Sequence, residues 1–194
     1  MKNSLKNSKS DLIRLSLTLF LIAGIMALLV SLVNGVTGPV IEKRNEEKIT
    51  QTLKSVMPEA DHFHEYLYFE PTVVASDGKK VAVDGVWFAK KGGETVGCCV
   101  KVGPQGYGGK VETIVSFDLD GKVIDSQIVA MSETSGIGSK IQNEDFLSQV
   151  YGKKGAALKE VDVIGGATKS SKAYIRGVEV AAKVAEKTLG GEAN

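Results

Sequence analysis

The stretch KVETIVSFDLDGKVIDSQIVA, residues 110–130, consists of two alternating, β-branched runs, Lys110–Asp118 and Lys122–Ala130, on either side of Asp120-Gly121. Asp-Gly between such runs is a strong hairpin signal, because both residues tolerate the positive φ that a tight turn demands. Working outward, Thr72–Ala75, Val81–Ala89 and Thr95–Val102 have the same character, and Asp77-Gly78 stands between the first two. No interval is long enough for a crossover helix, so the sheet is expected to be antiparallel. Downstream, Ile141–Tyr151 reads as a short helix. Ser170–Leu189 sets Val178, Ala181, Ala182, Ala185 and Leu189 on one face at helical spacing, with Gly190-Gly191 as its expected stop. With the strands first and the main helix last, the expected class is α+β.

Upstream of the sheet, Leu15 to Val36 contains 22 residues without a charge. As a helix this run would be roughly 33 Å long, enough for a hydrocarbon core of about 30 Å. A cleaved signal peptide is the competing reading, but its apolar core is shorter, ~7–15 residues, and a small-x-small site follows it. Here the exit reads Asn34-Gly35-Val36-Thr37-Gly38-Pro39, which favours a retained single-pass anchor. Lys2, Lys6, Lys9 and Arg14 precede the span, and Lys43, Arg44 and Lys48 follow it, a small bias toward a cytoplasmic N-terminus. Glu42 to Met57 carries Ile49, Leu53 and Val56 at i, i+4 and i+7, the pattern of an amphipathic helix ended by Pro58.

Composition removes several functions. Net charge is +1 and no basic run interleaves with aromatics, so no nucleic-acid partner is expected. The two cysteines, Cys98 and Cys99, are adjacent, which excludes a disulfide framework and any thiolate-held iron–sulfur or zinc centre. In a strand, alternation points one of them inward and the other outward. His62 and His64 lack further ligands in the sequence, so no metal site is expected. No residue is expected to be catalytic in its own right.

The segment richest in chemistry is Asp162-Val163-Ile164-Gly165-Gly166-Ala167-Thr168-Lys169-Ser170. It reads as a strand, Val161–Ile164, followed by two glycines, a small residue and hydroxyls at the start of a helix. Unpaired N–H groups and the positive end of the helix dipole suit a phosphate there. An ordinary glycine loop with a Ser/Thr N-cap meets the same description.

The Asp-x-x-x-Gly-Ala-Thr arrangement resembles the flavinylation motif of the FMN-binding domain family, although Gly165 stands where the family usually has Ser or Thr. That family includes the G subunit of Rnf complexes and the C subunit of sodium-pumping NADH:quinone reductases. Two further segments resemble it in order and spacing. These are Gly106-Tyr107-Gly108-Gly109 and the loop Glu133-Thr134-Ser135-Gly136-Ile137-Gly138-Ser139-Lys140, with Ser135 in place of the usual Pro. The resemblance spans roughly Leu15 to Leu189, and the length of the chain favours the Rnf-type G subunit.

The resemblance implies FMN joined covalently through its phosphate to the hydroxyl of Thr168 by a dedicated flavin transferase. It further implies cofactor contacts from Glu133, Thr134, Gly136, Ile137, Gly166, Ala167 and Ser170, with Ile137 on the ring and close backbone approach at Gly136. The expected division is a cytoplasmic N-terminus over 1–14, a transmembrane helix over 15–36, a helical connector over 37–58 and an FMN-binding domain over 59–194. The implied role is electron relay between ferredoxin and NAD, coupled to Na⁺ or H⁺ translocation, beside other membrane and soluble subunits. The implied location is the cytoplasmic membrane, with the flavin domain outside. Rival expectations are the C-type quinone-reductase subunit, an anchored stand-alone flavin reductase, and a scaffold whose glycine loops are only turns.

Overall fold

A computed structural model describes residues 2–192. The chain divides into two units, Met1–Glu47 and Lys48–Asn194. Helix α1, Lys2–Val56, accounts for the described part of the first unit. Its apolar stretch is unburied, with Phe20 77% and Leu32 64% exposed. A helix apolar on every side, with its side chains left uncovered, matches lipid rather than water. Length and composition suffice to cross a membrane. The helix continues through Pro39 and stops at Val56, two residues before Pro58. Proline disfavours helical backbone in the residue before it, and Met57 is already non-helical.

The second unit is built on one antiparallel sheet. Its strands are β1 (His62–Glu65), β2 (Thr72–Val74), β3 (Lys80–Lys91), β4 (Glu94–Gly103), β5 (Val111–Asp118) and β6 (Val123–Met131). The order is β1-β3-β4-β5-β6, and β2 also pairs with β3. All pairings are antiparallel, and the expected strands lie within a residue or two of the observed ones. Strand β1 has no counterpart among the expected strands, because its histidines are exposed and only Phe63 turns inward. The two-residue hairpin is Gly92-Gly93 between Lys91 and Glu94, where both glycines adopt positive φ. The Asp-Gly pairs close longer loops instead. Asp118 accepts from Gly121 through its carbonyl and from Lys122 through its side chain.

Both faces of the sheet are covered. On one, helix α3 (Thr168–Glu192) lays Ala173, Tyr174, Val178, Ala181 and Ala185 on Val86, Val100, Val115 and Phe117. On the other, Leu53, Val56 and Met57 pack with Ala89, Cys99, Ile114 and Val129. The Ser116 hydroxyl donates to the carbonyl of Val56 at 2.7 Å, and the Lys48 ammonium to that of Val129. Ile49, Leu53 and Val56 thus serve as sheet cover. This corrects the expectation for the cysteines: they do point to opposite faces, but both are fully buried because neither face meets water.

Three local expectations are revised. Val161–Ile164 forms no strand. Side chains satisfy its N–H groups instead, Gln149 Oε1 that of Asp162 and Ser171 Oγ that of Ile164. Ile141–Tyr151 is a 3₁₀ turn over Gly138–Gln142, helix α2 (Glu144–Leu147) and a second 3₁₀ turn over Ser148–Val150. Helix α3 begins at Thr168 and runs through Gly190-Gly191 to Glu192, so that glycine pair does not end it.

Candidate functional site

Three loops meet at the start of α3. The Gly106–Gly109 turn follows β4, the Glu133–Lys140 loop follows β6, and Gly165-Gly166-Ala167 leads into the helix. They enclose a cavity of about 440 Å³ lined by Tyr107, Glu133, Thr134, Ile137, Gly138, Gly166, Ala167, Thr168, Lys169 and Ser170. That volume falls in the range usual for cofactor sites, about 300–1,000 Å³.

The Glu133 carboxylate ties the loops together. Its Oε1 accepts from the backbone N–H of Tyr107 at 2.8 Å and of Gly108 at 3.3 Å. Its Oε2 accepts from the Ser170 hydroxyl at 2.7 Å. The packing around it is close. A Cβ on Gly138 would lie 2.8 Å from both Glu133 Cβ and Oε2, and one on Gly106 would lie 2.1 Å from Oε1. Gly136 is glycine for a different reason. Its φ is +75°, and a Cβ there would meet nothing within 4 Å. Gly138, by contrast, is hemmed in by the Glu133 side chain.

At the helix start, Ala167 N–H bonds the carbonyl of Ile164, and Ser171 N–H bonds that of Ala167. The N–H groups of Thr168, Lys169 and Ser170 precede the first possible intrahelical acceptor, and Ala167 has no capping side chain. The first turn holds no acidic residue. The three hydroxyls there are not equivalent. Ser170 is 2% exposed and bonded to Glu133, and Ser171 is fully buried and bonded to the N–H of Ile164. Thr168 is exposed. Donors, a free hydroxyl and an apolar wall from Ile137 and Tyr107 are the groups that a phosphorylated, ring-bearing cofactor needs.

All the sequence-expected site residues but Gly136 line this cavity, and Gly136 sits in one of its loops. Tyr107, Gly138 and Lys169 line it too; they lie within the three motif segments but are not among the expected cofactor contacts. The Lys169 ammonium lies 5.1 Å from the centre of the Tyr107 ring. A second cavity of about 380 Å³, lined by Tyr66, Tyr68, Phe69 and the Lys183–Thr188 part of α3, lacks a helix start. His62 and His64 are exposed on β1, away from either cavity.

Residues 106–183 match the FMN-binding domain family. The G subunit of the proton-translocating ferredoxin:NAD(+) oxidoreductase complex of Clostridium ljungdahlii is 30% identical over 178 residues, covering 87% of this chain and 88% of that protein. The chain belongs to the family of G subunits of ion-translocating oxidoreductase complexes. The G subunit of the Na(+)-translocating ferredoxin:NAD(+) oxidoreductase complex of Acetobacterium woodii is 31% identical over 193 residues, covering 88% of this chain and 90% of its own. Proton- and sodium-translocating relatives match equally well, so the likeness is to the G subunit and not to one coupling ion. NqrC of Shewanella oneidensis superposes with a TM-score of 0.48 at 16% identity, covering 70% of this chain and 74% of that one. The residues that line the cavity all lie within the region that matches the FMN-binding domain family.

Proposed function

We propose that the chain is the flavoprotein subunit of an Rnf-type complex. It holds FMN by a phosphoester to Thr168 and relays electrons during ferredoxin–NAD transfer coupled to ion translocation. The observation that carries this reading is the inequality of the hydroxyls at the start of α3. A flavin transferase needs an accessible acceptor beside donors for the phosphate, and Thr168 combines both, whereas Ser170 and Ser171 are buried and hydrogen-bonded. The free N–H groups of the first turn and the helix dipole favour a phosphodiester there. Thr134, Ile137, Gly166 and Ala167 line the space for the ring, Gly136 turns the loop that carries Ile137, and Glu133 and Ser170 hold the walls in register.

The bound flavin supplies the redox chemistry, and the protein supplies position, burial and charge. With α1 spanning the cytoplasmic membrane from a cytoplasmic N-terminus, the flavin domain stands outside.

The test is co-expression with a flavin transferase. Thr168→Val should fold but lack the mass of one FMN and the in-gel flavin fluorescence that survives denaturation, while Ser170→Ala keeps both. Retained flavin in Thr168→Val together with loss in Ser170→Ala moves the attachment to Ser170 and overturns the assignment.

A further inference from the structure

We infer that Lys169, held against Tyr107, is the cation that sets the reduction potential of the cofactor in this site, an inference that rests on the flavin reading just given. Two side chains of opposite charge type line the cavity, the carboxylate of Glu133 and the ammonium of Lys169. The Glu133 carboxylate faces three donors, so much of its charge is compensated locally. The Lys169 ammonium makes no ion pair among the described residues, and the face of the Tyr107 ring lies 5.1 Å from it. That distance is within the range where a cation is attracted by the ring quadrupole.

The pair is oriented from both ends. Tyr107 donates its N–H to Glu133 Oε1, and Ser170, the residue after Lys169, donates its hydroxyl to Oε2 of the same carboxylate. One acid therefore fixes the backbone beneath the aromatic ring and the backbone beneath the ammonium. Lys169 is exposed, and the Tyr107 ring gives its ammonium a partner at the cavity wall next to Thr168. Lys172, one turn later on α3, does not line the cavity.

Reduction adds electrons to the flavin ring, and where proton uptake does not match them the ring becomes negatively charged. A fixed positive charge favours that form and disfavours the neutral oxidised one by comparison. A unit charge on the wall of a site still open to water would shift such an equilibrium by about tenfold. Tenfold corresponds to about 59 mV for a one-electron couple. Lys169 is thus a tuning residue: it touches the cofactor space, raises the potential and takes no part in attachment.

The experiment is a redox titration, followed by absorbance, of the full-length protein purified in detergent after co-expression with a flavin transferase. Flavin content is checked by in-gel fluorescence. Lys169→Gln is expected to carry as much flavin as wild type and to have its potential lowered by the equivalent of about tenfold in the equilibrium. Lys169→Arg is expected to keep the wild-type potential. Tyr107→Leu, which removes the ring that positions the ammonium, should lower the potential by a smaller amount. Equal flavin content with unchanged potential in Lys169→Gln overturns the inference and leaves the site assignment standing. Loss of flavin in Lys169→Gln but not in Lys169→Arg also overturns it, by making the charge a requirement for attachment. A wild-type protein without flavin on Thr168 overturns the site assignment and this inference together.

Discussion

The Ser170 hydroxyl donates to Glu133 Oε2 at 2.7 Å, joining the first turn of α3 to a loop 37 positions earlier in the chain. The other oxygen of that carboxylate holds the Tyr107 turn. The cavity walls therefore depend on one acid that need not touch the cofactor at all.

Replacing Glu133 by Ala strands the N–H groups of Tyr107 and Gly108 and the Ser170 hydroxyl, part of which water can recover. A loss of about 1–3 kcal/mol in stability is expected. Glu133→Gln should cost less, because the amide keeps one acceptor oxygen and can orient its NH₂ toward Ser170 Oγ. Urea denaturation of the detergent-solubilised protein checks the order. Equal stability of Glu133→Ala and wild type would remove Glu133 from the architecture of the site.

The two glycines of the 133–140 loop should respond differently to alanine. Gly136→Ala meets no atom within 4 Å but is left at φ +75°, a strain of roughly 1–2 kcal/mol. Gly138→Ala places a methyl group 2.8 Å from the Glu133 side chain and 3.1 Å from Ser170 Oγ, so the clamp itself must move. Flavin incorporation should thus fall more in Gly138→Ala than in Gly136→Ala. A reversed order in quantitative in-gel fluorescence would count against the observed packing.

Topology can be tested with the native cysteines in place. Cys98 and Cys99 are fully buried, and burial pushes the Cys99 thiol well above its usual value, with Cys98 beside it adding to the effect. Little reactive thiolate is then available. Asp77 is a poor labelling position, because its Oδ2 accepts from Arg176 Nε at 2.8 Å and Arg176 is only 7% exposed. Lys91, exposed beside the Gly92-Gly93 turn, is a better one. Lys91→Cys should react with a membrane-impermeant maleimide on whole cells while wild type does not. Reaction only after lysis would put the domain on the cytoplasmic side.

Acid should loosen the clasp between the β2–β3 loop and α3. Glu179 accepts from the Ser76 N–H and hydroxyl and pairs with Lys183, and Asp77 pairs with Arg176. For Glu179, burial pushes the carboxyl up, but Lys183 and the two Ser76 donors outweigh it and the net shift is below 4.5. For Asp77, burial again opposes, and the Lys79 N–H and Arg176 bring it below 3.8. Because both values are lowered on folding, the stabilisation is complete above the unfolded values and is lost as pH falls through the folded ones. Stability should therefore be flat above about pH 5 and decline below about 4.5. Glu179→Gln should be less stable at neutral pH and show a shallower acid decline. An unchanged acid limb would place the titrating groups elsewhere.

The sequence by itself determined what local chemistry can dictate. An uncharged run of 22 residues needs no tertiary partner to be recognised as a candidate membrane span. The β-branched runs lie within a residue or two of the central strands, because period-two alternation and turn glycines are properties of adjacent residues. The family motif singled out the glycine-rich lead into α3 for the same reason. The tertiary structure decided whatever depends on distant partners. Cys99 is buried because Leu53, Val56 and Met57 cover the second face, which alternation alone cannot reveal. Val161–Ile164 has strand-forming residues but no strand beside it, and Gln149 and Ser171 take its hydrogen bonds. Gly136 and Gly138 look alike in sequence, and only the Glu133 side chain against Gly138 makes one a matter of space and the other of backbone angle. Spacing along the chain shows that Thr168, Ser170 and Ser171 all offer hydroxyls at the helix start but not which of them is accessible. Helix geometry turns Ser170 toward Glu133 and Ser171 into the core, and leaves Thr168 facing out.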